Sequence, residues 1–208
     1  MSANDNKLVL IVDDDPSVRA GLTDLLQSMD IPVRTFVTAA ELLESNLPDV
    51  AACLILDIRL PGINGLEFQD TLIRKDIRIP IVFMTGHGDI PMSVKAMKAG
   101  AVDFLVKPFR EQDMLDAVAR SLERDGKRRE SEKSVSEFRK RFDLLTPRER
   151  EVLSLVTSGL MNKQIAHQLE IREITVKVHR GRVMEKMGAH SFAELVKMAE
   201  AIGVGRAT

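Results

Sequence analysis

The chain has 208 residues, enough for one large domain or two small ones, and its 44% apolar and 29% charged content excludes general disorder. Eight Phe with no Trp or Tyr disfavour aromatic platforms for single-stranded nucleic acid, and a lone cysteine, Cys53, excludes an internal disulfide or a cysteine-rich zinc site. The net charge of −1 hides an asymmetry: residues 1–120 hold 12 basic against 18 acidic side chains, residues 121–141 hold 8 against 5, and residues 142–208 hold 10 against 8. Such a profile indicates two domains with different partners. No apolar run approaches the roughly 20 residues of a membrane span, and no signal pattern opens the chain, so a cytoplasmic protein is expected.

Short apolar runs recur through the first half: Leu8–Val12, a weaker one at Pro32–Phe36, then Ala51–Leu56, Ile79–Met84 and Ala101–Val106. Continuous rather than alternating apolar character predicts strands covered on both faces, as in a parallel sheet. Between them lie amphipathic segments at Ser17–Met29, Ala39–Asn46, Gly65–Lys75, Met92–Gly100 and from Glu111 onward. Five β units each followed by an α unit predict a doubly wound α/β domain. Ligands in such sheets bind at the carboxyl ends of the strands. There the chain places Asp13, Asp14 and Asp15, then Asp57, Thr85 and Lys107-Pro108. Asp15 before Pro16 reads as a helix N-cap. The remaining carboxylates repel one another unless a cation joins them, and Mg²⁺ prefers such oxygen ligands. No Gly-rich phosphate loop supports nucleotide binding.

Val12-Asp-Asp14, Leu56-Asp-Ile-Arg-Leu-Pro-Gly62, Met84-Thr-Gly-His-Gly88 and Lys107-Pro-Phe109 resemble the signature of a response-regulator receiver domain, over residues 7 to about 120. The resemblance is closest to the FixJ type among NarL/LuxR-like regulators, with the StyR and TodT type of aromatic catabolism nearest. It implies the sheet order 2-1-3-4-5, Asp57 as phosphoacceptor, and an acidic Mg²⁺ site of Asp13, Asp14 and Asp57. Asp14 and Asp57 would ligate the metal directly, with the Arg59 carbonyl as a third ligand. Lys107 would reach the phosphoryl oxygens from a residue joined to Pro108 by a cis bond. Thr85 and Phe104 would form the switch; burial habit alone reads Phe104 equally as core. His87 has no partner at metal spacing and reads as a loop residue, and Cys53 as a small core side chain.

From Glu111 to about Arg141 no proline intervenes, and beyond Leu122 the sequence is almost wholly charged. That predicts a helical linker, continuous or broken at Gly126, seated by Val135, Phe138 and Phe142. Thr146-Pro-Arg-Glu149 is a capping box opening a helix that ends at Gly159. Asn162 is expected to cap a second helix, Glu173 to Met187 forms a third ending at Gly188, and Ser191 caps a fourth with Leu195, Val196 and Ala199 inward. Two short helices joined by a turn and packed by flanking helices make a helix-turn-helix. At 100° per residue the third helix turns Val176, Val183 and Met187 inward, with His179 and Met184 at the margins. Val178, Gly181 and Glu185 then face out, flanked by Lys177 and Arg182. Charge alone leaves that face open to either solvent or DNA phosphates.

Leu145-Thr-Pro-Arg-Glu-Arg-Glu-Val152, Gly159-Leu-Met-Asn-Lys163, Ile165-Ala166 and Thr175-Val-Lys-Val-His179 resemble the LuxR/NarL-type helix-turn-helix over about 143–202. That resemblance implies Lys177 and Val178 toward bases and Lys163 and Thr175 on phosphates. Gly181 stands where one family pattern has Lys, and Arg182 is placed to substitute.

The expected organisation is a receiver at 1–122, a linker at 123–142 and a DNA-binding domain at 143–208. The expected function is a two-component transcription regulator, not an enzyme beyond phosphorylation and dephosphorylation of its own Asp57. Its implied partners are a sensor histidine kinase, double-stranded promoter DNA and a second copy of itself, with no membrane. An aspartyl-phosphate phosphohydrolase would need an Asp two residues after the nucleophile, where this chain has Arg59. A regulator indifferent to phosphorylation would not need the full set of Asp13, Asp14, Asp57, Thr85 and Lys107.

Overall fold

The five apolar runs pair as one parallel sheet in the order β2-β1-β3-β6-β7, comprising β1 (Lys7–Val12), β2 (Val33–Phe36), β3 (Ala51–Asp57), β6 (Ile81–Thr85) and β7 (Asp103–Val106). This is the expected order once a small hairpin, β4 (Arg59–Leu60) with β5 (Ile63–Asn64), is set aside. The computed structural model describes residues 6–47, 49–86 and 90–205; His87 lies outside them. The chain divides into two compact units, Met1–Arg129 and Glu130–Thr208.

Why the strands read as continuous apolar runs is plain from the two cores of the first unit. Leu8, Leu10 and Val12 with Leu54, Leu56 and Phe83 pack one face of the sheet, against α2 (Ala39–Glu44), α3 (Gly65–Arg74) and α4 (Ile90–Lys98). The alternate residues Val9, Ile11, Cys53, Ile55, Val82 and Met84 pack the other, against α1 (Pro16–Gln27) and α5 (Glu111–Asp143). The inner strands β1, β3 and β6 are thus apolar on both sides, whereas the edge strand β2 exposes Arg34 and Thr35. Helix α4 starts two residues earlier than its apolar pattern indicates, because Pro91 is tolerated in a first turn. Asp15 caps α1, its side chain accepting from the Ser17 N–H with Pro16 at the first helical position.

The linker helix is unbroken through Gly126. A Cβ there would meet only the Ala51 side chain at 3.9 Å, so the glycine lies close over β3 rather than opening the helix. Next to it, Asp125 is fully buried. Its carboxylate accepts from the Ala52 N–H at 2.9 Å and from the guanidinium groups of Arg128 (2.6 Å) and Arg129 (2.7 Å). The first residues of the linker are thereby clasped to the start of β3. Cys53, beside this clasp, is buried, and burial pushes its thiol up to about 12.

In the second unit α6 (Pro147–Thr157), α7 (Asn162–Gln168), α8 (Glu173–Met187) and α9 (Phe192–Ala201) follow the expected boundaries. The Thr146–Glu149 capping box is formed, and Gly188 closes α8 at φ 68°. Two expectations need correction. Met161, not Asn162, is the N-cap of α7; its N–H goes to the Gln164 side chain, while Asn162 instead accepts from Arg180 at 2.6 Å. In α9 Met198 joins Leu195 and Ala199 in the core, and Val196 is only half-buried, because the inward stripe follows the i, i+3, i+4 spacing.

Glu149 does more than cap. It is buried and takes a 2.6 Å ion pair from Lys186 of α8. The Lys186 hydrogen bond outweighs burial and, with the Thr146 N–H, holds the Glu149 carboxyl at about 2 instead of 4.5. A depressed folded-state value stabilises above the unfolded value and is lost as pH falls through the folded one. The second unit is therefore expected to lose about 1–2 kcal/mol between pH 4.5 and 2 from this group. Glu149→Gln should flatten that part of the curve in urea titrations across the range. An unchanged slope would refute the assignment.

Candidate functional site

Four strand ends converge at the carboxyl edge of the sheet. Asp13 follows β1, Asp57 ends β3, Thr85 ends β6 and Lys107 follows β7. Asp13, Asp57 and Thr85 are buried. The Lys107 ammonium bridges the two carboxylates, 2.7 Å from Asp13 Oδ2 and 3.0 Å from Asp57 Oδ1. Their other oxygens accept backbone N–H groups, Asp13 Oδ1 from Asp15 at 2.9 Å and Asp57 Oδ2 from Arg59 at 2.8 Å. Burial pulls the Lys107 ammonium toward neutrality, but its bonds to Asp13 and Asp57 outweigh this and hold its pKa above the ordinary lysine value. The Lys107–Pro108 peptide is cis, and the Lys107 N–H donates to the Thr85 carbonyl at 2.7 Å.

Asp14 presents an exposed carboxylate at the same edge, and the exposed Arg59 lies beside it along a shallow cleft with Asn64 and Glu67. Phe104 is half-buried, its ring 6.5 Å from Phe83 and tilted by 44°. Two buried carboxylates therefore share one ammonium, with the Asp14 carboxylate exposed at the same edge. That imbalance is the donor chemistry a hard divalent cation fits. Among the described residues no three carboxylate, imidazole or thiolate groups converge as a ready-made cage. Mg²⁺ does not require one, since it keeps several waters and needs only one or two carboxylates.

Sequence reasoning missed three supports of this site. Arg19 donates to the Asp13 carbonyl at 2.6 Å and fixes the acidic loop. Gly65 packs directly on the Asp57 backbone: a Cβ there would lie 2.7 Å from the Asp57 carbonyl and 2.9 Å from Ile58 Cα. The β4–β5 hairpin turns at Pro61-Gly62, with Gly62 at φ 85°. That dipeptide is a turn signal legible in the sequence; the close approach at Gly65 is not.

In the second unit the outward side of α8 carries Lys177, Val178, Gly181 and Arg182, all exposed, with Thr175 half-buried; Lys163 is exposed on α7. Val176, Val183 and Met187 are buried beneath, as the helical spacing predicts. His179 is half-buried at the margin, and its Nδ1 has no hydrogen-bond partner among the described residues.

Comparison with known proteins agrees with both halves. Residues 9–119 match the family described as response regulator receiver domain, and residues 143–199 match the bacterial regulatory proteins of the luxR family. The chain is 53% identical to nodulation protein W of Bradyrhizobium diazoefficiens, over 97% of this chain and 89% of that protein. It is 43% identical to the transcriptional regulatory protein FixJ of Azorhizobium caulinodans, over 96% and 94%. Among solved structures, the response regulator StyR superimposes with a TM-score of 0.83 at 49% identity, covering 94% of this chain and 98% of that one. The chain belongs to the two-component response regulators of the FixJ type, a receiver domain followed by a LuxR-family DNA-binding domain.

Proposed function

We propose that Asp57 accepts a phosphoryl group from a sensor histidine kinase and that this controls DNA binding by the second unit. The observation that carries the reading is the Lys107 ammonium held between Asp13 and Asp57 where three strands end. An Asp57 carboxylate oxygen forms the new P–O bond as the P–N bond to the kinase imidazole breaks. Lys107 neutralises the phosphoryl oxygens, and the Thr85 hydroxyl donates to one of them and draws its loop inward. Phe104 then turns into the space vacated, changing the surface of α4 and β7. Asp13, Asp14, Asp57 and the Arg59 carbonyl would hold Mg²⁺, which when bound supplies positive charge against the transferring oxygens. Beyond forming and losing its own aspartyl phosphate the chain catalyses nothing.

We assign the receiver to 1–122, the linker to 123–142 and the DNA-binding domain to 143–208, with the linker's first residues clasped through Asp125. Dimerisation on phosphorylation is supported by exposed apolar side chains on α4 and β7: Ile90 (79% exposed), Val94, Met97 and Val106. Lys163, Thr175, Lys177, Val178, Gly181 and Arg182 would meet promoter DNA, the cations making binding salt-dependent. Among the described residues no helix is long and apolar enough to cross a membrane, and a DNA partner implies the cytoplasm.

The test is DNA affinity and oligomeric state with and without Mg²⁺ plus a small phosphodonor, in the wild type and Asp57→Asn. The donor should tighten wild-type binding about tenfold, a typical allosteric coupling, and leave Asp57→Asn unchanged. A wild type that binds DNA but ignores the donor, or an Asp57→Asn chain that responds equally, sinks the reading.

A further inference from the structure

The outward face of α8 carries an apolar pair that charge cannot explain. Ile174 is 63% exposed and Val178 47% exposed. At 100° per residue Ile174 falls between Val178 and Gly181, at the centre of the face that points away from the core. A Cβ added at Gly181 would meet nothing within 4 Å, so packing does not require this glycine. Ile, Val and Gly are all weaker helix formers than the Ala, Lys or Glu that would suit an exposed face. Three such residues together cost helix stability and leave apolar surface in water.

Exposed cations border this face, Arg172, Lys177 and Arg182 on or beside α8 and Lys163 on α7, with Glu173 paired to Lys177 at 3.5 Å and Glu185 further along the helix. An apolar centre with a basic margin matches the major groove, where phosphates rim base edges and the one apolar group offered is the thymine C5-methyl. Ile174 lies in the first turn of α8, the part of a recognition helix that meets base edges. It stands about 6 Å from Val178 along the helix axis, less than two base steps of about 3.4 Å each, so the pair can reach neighbouring base pairs. Open space at Gly181 lets the helix backbone sit close.

We propose that Ile174 is a specificity-determining residue which, with Val178, reads thymine methyl groups on one or two adjacent base pairs. This rests on the DNA-binding reading above. The test is selection of duplexes from a randomised pool by the full chain treated with Mg²⁺ and phosphodonor. Each thymine of the selected duplex is then replaced singly by uracil, which deletes only the methyl group. At one or two adjacent positions the wild type should lose about threefold to tenfold in affinity, as burial of one methyl group predicts. The Ile174→Ala/Val178→Ala double variant, its helicity checked by circular dichroism, should lose less than about twofold at those positions. A selected duplex whose affinity for the wild type survives every thymine-to-uracil change overturns the proposal while leaving DNA binding intact. Failure to select any duplex overturns the DNA-binding reading and this proposal with it.

Discussion

Replacing Asp125 by Ala is expected to destabilise the first unit by about 2–4 kcal/mol. The substitution strands the Ala52 N–H, which the carboxylate caps at 2.9 Å, and a buried donor without an acceptor costs roughly 1–3 kcal/mol. It also removes the carboxylate that Arg128 and Arg129 share, while Arg129 keeps its ion pair with Asp49. The two arginine side chains are 28% and 25% exposed, so they can turn toward water, and the full penalty of an unpaired buried charge does not apply. Asp125→Asn keeps one acceptor oxygen and should cost less than Ala. Urea unfolding read on the first unit decides: a loss below about 0.5 kcal/mol for the Ala variant, the level of an ordinary surface change, would mean the clasp is ornamental.

A single methyl group at Gly65 is expected to damage both stability and phosphorylation. In Gly65→Ala the new carbon would sit 2.7 Å from the Asp57 carbonyl and 2.9 Å from Ile58 Cα, both main-chain atoms that no side-chain rotation can move aside. Overpacking of this kind costs roughly 1–3 kcal/mol. The relief available is a shift of α3's first turn or of β3's end, and the latter moves the Asp57 carboxylate away from Lys107. Phosphoryl uptake from a small donor should fall about tenfold or more, since a displacement near 1 Å can cost a hundredfold. Uptake and unfolding curves matching the wild type would show that the backbone yields freely there.

Much of this was legible because the strands are short, apolar and doubly covered. The same burial that makes Leu54–Leu56 a core strand carries Asp57 to the sheet's edge, so the acidic groups could be placed before their distances were known. The supports were harder to read. Arg19 acts through a backbone carbonyl, and Gly65 through the absence of a side chain; neither leaves a pattern in the chain. Asp125 sits in a run of alternating charges that resembles a solvated helix, and only the fold reveals that β3 begins beneath it. In the second unit helical spacing sorted α8 correctly into inner and outer faces, whereas the cap of α7 escaped because Asn162 is engaged by Arg180, 18 residues away.

The single cysteine gives the chain an internal clock. Cys53 is sealed in the centre of the first unit's sheet, and its thiol is held at about 12, so almost no thiolate exists at neutral pH. A thiol reagent can reach it only when that unit opens. Labelling in excess reagent therefore times opening events of the receiver alone, in the intact protein, while the helical unit with no cysteine stays silent. Any ligand, covalent phosphoryl group or substitution that tightens or loosens the receiver will register as a slower or faster clock, without truncation or an added probe.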